Sequence, residues 1–258
     1  MMTGDPPILA THSVTKAFGG VRAVDRCSIS VLPGTITGLI GPNGAGKTTL
    51  FNLIIGFYAP DEGTITFDGQ EIGGLPPYEI VHMGVVKTFQ IPREFRHLTV
   101  LENLLVAHPG HPGERPLAAL LGRRRIWDHE AAIRKKALDV LSLVELDPLA
   151  DAYASDLSGG QKKLLELARA LMAEPKVILL DEPVAGVNPT LAKKLVTVIQ
   201  DLRASGRTFF MIEHDMDVVM KQCSRVIAMH LGRPIADGTP VEVRRSEAVL
   251  EAYLGGGQ

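Results

Sequence analysis

The sequence predicts an α/β fold, and three observations predict it. Apolar strand-like runs recur along the 258 residues, and several are separated by stretches with helical spacing, the alternation that builds a sheet flanked by helices. A glycine-rich loop stands between one such run and one such helix, within residues 35–54. The middle of the chain carries helix-period patterns at 99–107, 128–146 and 158–173 with no clear strand among them, which reads as a separate helical lobe.

In chain order the strand-like runs are "ILATHSVTKAF", "RCSISVLP", "TITGLI", "GTITFDG", "GVVKTFQ", "KVILLDEP", "RTFFMIEHD" and "SRVIAMHLGRPIADG". Between the first two helical stretches lies "HPGHPGERPLAALLGRRRIWDHE", rich in proline, glycine and charge, which reads as a surface insertion with one short helix. Arg123 to Arg125 within it form either a solvated charge run or a basic, membrane-facing edge. The closing "GGGQ" reads as a frayed tail.

Composition narrows the class. A hydrophobic content of 45% lets a chain of this length bury a full core. The formal net charge of -2 supplies no general attraction to nucleic acid. Two cysteines, Cys27 and Cys223, match no metal-ligand spacing, which predicts free, buried thiols and a reducing, cytoplasmic compartment. The start "MMTGDPPILA" lacks the basic and long apolar regions of a signal peptide. No apolar run approaches the roughly eighteen residues of a membrane span, so any membrane role is peripheral.

Three short stretches carry chemistry. In "GPNGAGKTTLFNLI", residues 41–54, glycines allow backbone N–H groups to turn inward around an anion, and the following helix adds the positive end of its dipole. Lys47 then reaches the outer phosphates of a nucleotide, and the Thr48 hydroxyl can sit on the accompanying magnesium. A glycine-rich turn that merely caps a helix would share this composition, but not the buried strand before and the helix after. The second stretch is "KVILLDEP", an all-apolar strand ending in two acids: Asp181 is placed to hold magnesium through its water shell, and Glu182 to orient or deprotonate a water. The third, "DLSGGQKKLLELARALMAEP", opens a helix with Ser158, Gly159 and Gly160, either as simple capping or as a second anion site.

Together, and in this order over nearly the whole chain, these motifs resemble the ATP-binding subunits of ABC transporters. The resemblance implies a P-loop NTPase, RecA-like core with an antiparallel β subdomain and an inserted α-helical subdomain. It implies one domain over 1–258, with a catalytic lobe of 1–90 and 175–258 and a helical lobe of 91–174. The implied cofactors are ATP and Mg2+. Gly41, Pro42, Asn43, Gly44, Ala45 and Gly46 would form the cradle, with Lys47, Thr48 and Thr49 opening its helix. Ser158, Gly159, Gly160 and Gln161 correspond to the signature segment that closes over the γ-phosphate held by an opposite subunit. Phe18 in "TKAFGGVRAV" takes the place of the aromatic that stacks on adenine, and Gln90 in "KTFQ" that of the glutamine reaching the magnesium and the attacking water. His214 in "MIEHD" matches the switch histidine at the γ-phosphate. Ala185 to Asn188 correspond to the loop that crosses between subunits, with Asn188 where many members carry aspartate.

Within that family the finer resemblance is to the subunits of branched-chain amino-acid uptake systems, carried by "GVVKTFQIPREFRHLTVLENLLVA", "AGVNP", "IEHDMDVVM", the ending "AYLG" and the insertion after Ala107. Urea uptake and lipopolysaccharide export are the near alternatives; a DNA-repair or translation ATPase and an isolated P-loop kinase are the distant ones. The implied partners are a second ATPase subunit, identical or paralogous, in a head-to-tail dimer, the membrane permease subunits and, through them, a periplasmic or extracellular binding protein, with no nucleic acid. The implied location is the cytoplasmic face of the membrane. By the same resemblance Ile91, Pro92 and Phe95 lie where a short permease helix would dock.

Overall fold

A computed structural model of the chain describes residues 6–88, 94–109 and 123–254. It divides into two compact units, the first comprising Met1–Lys87, Lys176–Pro183 and Ile199–Gln258, the second Thr88–Pro175 and Val184–Val198.

The first unit holds two sheets. Strands β1 (Leu9–Phe18), β2 (Val21–Val31), β4 (Glu62–Phe67) and β5 (Gln70–Glu71) form an antiparallel sheet in the order β2-β1-β4-β5. The second sheet uses β3 (Ile36–Ile40), β6 (Val85–Lys87), β7 (Val177–Asp181), β8 (Thr208–Ile212), β9 (Arg225–His230) and β10 (Arg233–Gly238) in the order β10-β9-β3-β8-β7-β6. All its pairings are parallel except the β9–β10 hairpin. Strands β3, β7 and β8 are buried at every residue, which is why they read as unbroken apolar runs rather than alternating ones. Helix α1 (Lys47–Ile54) follows β3 and contributes Leu50, Phe51, Leu53 and Ile54, none of them exposed, to a core that also includes Ile29 and Phe67 of the antiparallel sheet and Leu179 and Phe210 of the parallel one. The Phe51 and Phe210 rings lie 4.9 Å apart, centroid to centroid. Helices α2 (Pro77–Met83), α7 (Met216–Gln222), α8 (Pro240–Arg245) and α9 (Glu247–Leu254) complete the unit.

The second unit is helical among its described residues. It contains α3 (Val100–Ala107), α4 (Arg123–Leu143), α5 (Gly159–Leu171) and the start of α6 (Pro189–Ala204). Thr99 and Glu102 close α3 in a reciprocal capping box. Residues 184–198 depart from the sequence expectation, which placed all of 175–258 in the catalytic lobe. They group with the helical unit because Leu191 and Val187 pack where a side chain on Gly160 would otherwise stand, and because Lys194 pairs with Glu145 at 2.7 Å. Helix α4 also begins at Arg123, five residues before the apolar period becomes visible at 128, so the charged end of the insertion is helical.

Both cysteines are free and buried, as expected, and burial pushes each thiol up to about 12. The thiolate is the reactive species, so neither should react with Ellman's reagent in the folded protein at about pH 8, whereas both should react once the chain is unfolded in guanidinium. Labelling of either in the native state would show that its packing is wrong.

Candidate active site

The glycine loop is built by close approach. Gly41 has φ +150°, and a Cβ there would stand 2.2 Å from the carbonyl oxygen of Met229; Gly46 has φ +98°, and a Cβ would stand 2.2 Å from that of Ala23. No other residue fits either position without moving a strand. Gly46 is the N-cap of α1, no side chain caps that helix, and its first turn holds no acid. The helix therefore presents unspent N–H groups and a positive dipole end at the tip of β3. The nearly buried Lys47 turns back on the loop, its Nζ donating to the carbonyls of Gly41 (2.7 Å) and Pro42 (3.0 Å). Burial lowers its pKa, and the charges of Glu182 and Asp181 oppose that shift. Thr48 is exposed, and Phe18, at the end of β1, is 44% exposed with its ring edge on to Tyr58 at 5.0 Å, so it is not a core residue.

The acids meet the loop from the parallel sheet. Asp181 ends β7 beside Ile212 of β8, and Lys87 at the end of β6 pairs with it at 3.1 Å. Glu182 has φ +51°, the left-handed region, with its N–H donating to the carbonyl of Ile212 at 3.0 Å. Its Oε1 lies 3.0 Å from Nε2 of His214, so the predicted base and switch histidine are in direct contact. Buried beneath them, Glu213 accepts the N–H groups of His214 (3.1 Å) and Asp215 (3.5 Å), and Asp215 in turn N-caps α7.

The first unit thus brings together Gly41 to Thr49, Asp181, Glu182 and His214. Ser158, Gly159, Gly160 and Gln161 belong to the second unit, where the Ser158 hydroxyl accepts the N–H of Gln161 at 3.4 Å and the Gln161 side chain accepts that of Ser158 at 2.9 Å. Capping uses the acceptor side of the hydroxyl and leaves its proton free to donate. Asn188 accepts the N–H of Leu191 at 3.0 Å as the cap of α6, a task asparagine and aspartate perform equally well. Gln90, Ile91 and Pro92 lie outside the described residues.

Three residues of the site escaped the sequence reading. Lys87 and Glu213 stand next to recognised motifs but are charged, and nothing in their spacing marks them as buried. Tyr253 of α9 receives a hydrogen bond from the backbone of Gly41, which opposes the upward pKa shift that burial causes. The ending "AYLG" is its only sequence signal.

A strand, a glycine loop and an uncapped helix, faced by an acid pair at the end of a parallel strand two places away in the same sheet, define a P-loop NTPase. The chain belongs to the ABC transporter family, whose model matches residues 24–185. Residues 233–258 match a second model, described as branched-chain amino acid ATP-binding cassette transporter. A probable branched-chain amino acid transport ATP-binding protein of Archaeoglobus fulgidus is 44% identical over 96% of this chain and 95% of its own length. The high-affinity branched-chain amino acid transport ATP-binding proteins of Pseudomonas aeruginosa and Escherichia coli K12 are 42% and 40% identical, each over 96% of this chain and 98% of their own. Among solved structures, the ADP conformation of an ATP-binding cassette of an ABC transporter superposes with a TM-score of 0.84 at 42% identity, covering 97% of this chain and 99% of that one. A dimeric post-hydrolysis cassette bound to ADP and Pi does so with 0.73 at 26%, covering 90% and 98%.

The left-handed backbone at Glu182 has a measurable cost. An L side chain pays about 1–2 kcal/mol there that glycine does not, set against about 0.5–1 kcal/mol of extra unfolded-state freedom for glycine. Glu182→Gly should therefore be more stable to urea than Glu182→Ala, although both lose the same carboxylate. The reverse order would mean that the backbone there is not left-handed.

Proposed function

We propose that this chain is the ATP-hydrolysing subunit of an importer for branched-chain amino acids. The observation that carries the substrate class is the match at residues 233–258, a segment outside the general transporter match, with the names of the relatives in support. The cradle and signature segment belong to the same reading: Phe18 stacks on the base, and Gly41 to Thr49 hold the phosphates. Lys47 exchanges its loop carbonyls for phosphate oxygens, and Ser158 to Gln161 serve the nucleotide of a second subunit.

The donor set near the cradle fits magnesium, a hard cation that prefers oxygen: the carboxylate of Asp181 and the hydroxyl of Thr48 are of that kind, with Gln90 a third ligand by the resemblance. Bound there, the ion would offset charge developing on the transferred phosphoryl group. Glu182 accepts a proton from the attacking water, and His214, at 3.0 Å from it, holds that carboxylate in place and reaches toward the γ-phosphate. Head-to-tail pairing with a second cassette would complete each site; a solved cassette 26% identical to this chain is dimeric, which supports pairing of two cassettes. Among the described residues no helix is long and apolar enough to cross a membrane, so attachment at the cytoplasmic face would come through permease subunits.

The experiment is a pair of variants. Lys47→Ala should weaken ATP binding about tenfold or more, having lost a charged hydrogen-bond donor. Glu182→Gln should bind normally, hydrolyse at least about a hundredfold more slowly, and elute as a dimer when given magnesium and ATP. Normal turnover by Glu182→Gln would overturn the role assigned to it.

Coupling would run through the segment after Gln90. Phe95 is 45% exposed, and the Arg169 guanidinium lies 4.9 Å from its ring centre. The fully buried Asn103 accepts the N–H of Phe95 at 2.9 Å and donates to its carbonyl at 3.1 Å, so the ring is held outward on a fixed backbone. Phe95→Asp should accordingly fold and bind nucleotide like the parent, but fail to co-purify with the permease and to support uptake. Unfolding of that variant would assign Phe95 to the core, and normal transport would place the docking groove elsewhere.

A further inference from the structure

A lysine as buried as Lys87 is rare and needs compensation. Its side chain is 6% exposed, and the Asp181 carboxylate it meets is also 6% exposed. The ammonium lies 3.1 Å from Oδ2 of Asp181, donates to Oδ1 of Asn52 at 3.0 Å and stands 5.9 Å from the centre of the Phe51 ring. Asn52 and Phe51 belong to α1, the helix that Lys47 opens, so one cation ties that helix to the end of β7. The charge of Asp181 is felt by Lys47 as well, but Lys47 is bonded to the loop carbonyls and is the cation that a phosphate would draw away. Lys87 is instead held by side chains, Asp181, Asn52 and Phe51, and not by the loop.

We propose that Lys87 is a positioning residue for magnesium-dependent nucleotide binding. It holds Asp181 by Oδ2 and compensates its buried charge, leaving the other oxygen to the water shell of the metal. Without Lys87 nothing fixes Oδ2, so the carboxylate is free to rotate and the metal would meet a misdirected acid. This rests on the reading of Asp181 as the acid that serves magnesium. An ion pair that only stabilised the fold would instead affect every form of nucleotide binding alike.

The test measures the affinity of the full chain for the non-hydrolysable ATP analogue AMP-PNP by calorimetry, in EDTA and in magnesium. Lys87→Met should leave the EDTA affinity unchanged and cut the gain on adding magnesium about tenfold or more, the usual loss when a partner of a metal-serving group is removed. Lys87→Arg should restore most of the gain, and Lys87→Met combined with Asp181→Asn should behave as Asp181→Asn alone. Equal weakening in EDTA and magnesium would overturn the proposal, as would a full gain in Lys87→Met when Asp181→Asn has lost it. A full gain in Asp181→Asn would instead remove the magnesium reading on which the proposal rests. If Lys87→Met does not fold, Asn52→Leu, which removes the amide holding the ammonium, is read the same way. A magnesium gain equal to the parent's in that variant overturns the proposal.

Discussion

Helix α1 has only eight residues, too few for a helix that holds its shape unaided, and it persists because its apolar side chains are locked in a core drawn from both sheets of the first unit. That burial fixes where its first turn lies. The chain must leave β3, pass under the carbonyls of Met229 and Ala23, and enter the helix at once, which only glycine at 41 and 46 allows. The other side of the same helix carries Asn52 and, through Lys87, reaches Asp181. Packing of one short helix thus sets the loop, its lysine and the acid on β7 in a single rigid arrangement.

The starts of the two helices assigned to the cradle and the signature segment on the proposed reading are finished in opposite ways. Helix α1 has no side-chain cap, whereas α5 is closed by Ser158 and Gln161 against each other. An uncapped start is an unstable end that a phosphate can complete; a boxed one already stands alone and has only a hydroxyl proton and glycine N–H groups to offer. The strained backbone of Glu182 belongs to the same economy. A left-handed glutamate persists at a strand end because its N–H is held by the carbonyl of Ile212, and its carboxylate is sent onto His214.

The strands were legible because burial on both faces writes itself as an apolar run, and β3, β7 and β8 are of that kind. β5, with two exposed polar residues, leaves no such trace. The glycine loop, Asp181 and Glu182 were read from motifs at strand ends, and His214 only from the family resemblance. Lys87 was missed because its partners Asn52 and Asp181 are distant in sequence, and for both Lys87 and Glu213 charge argued against burial. Residues 184–198 group with a different unit from the one their place in the chain suggested for a related reason: their partners, Gly160 and Glu145, are contacts that chain order does not announce. Phe18 shows the converse, an aromatic side chain at a strand end that the fold leaves exposed.

The position of Lys47 also bears on discrimination between ligands. Its ammonium is already satisfied by two neutral carbonyls, so a visitor must offer a better acceptor to displace it. Phosphate oxygens do, being negatively charged; the hydroxyls of a nucleoside do not. On the proposed reading, adenosine would meet an aromatic surface at Phe18 and a closed hand at Lys47, while ATP would open that hand. Rejection of the unphosphorylated competitor would then be a property of the loop's own hydrogen bonds, independent of any partner subunit.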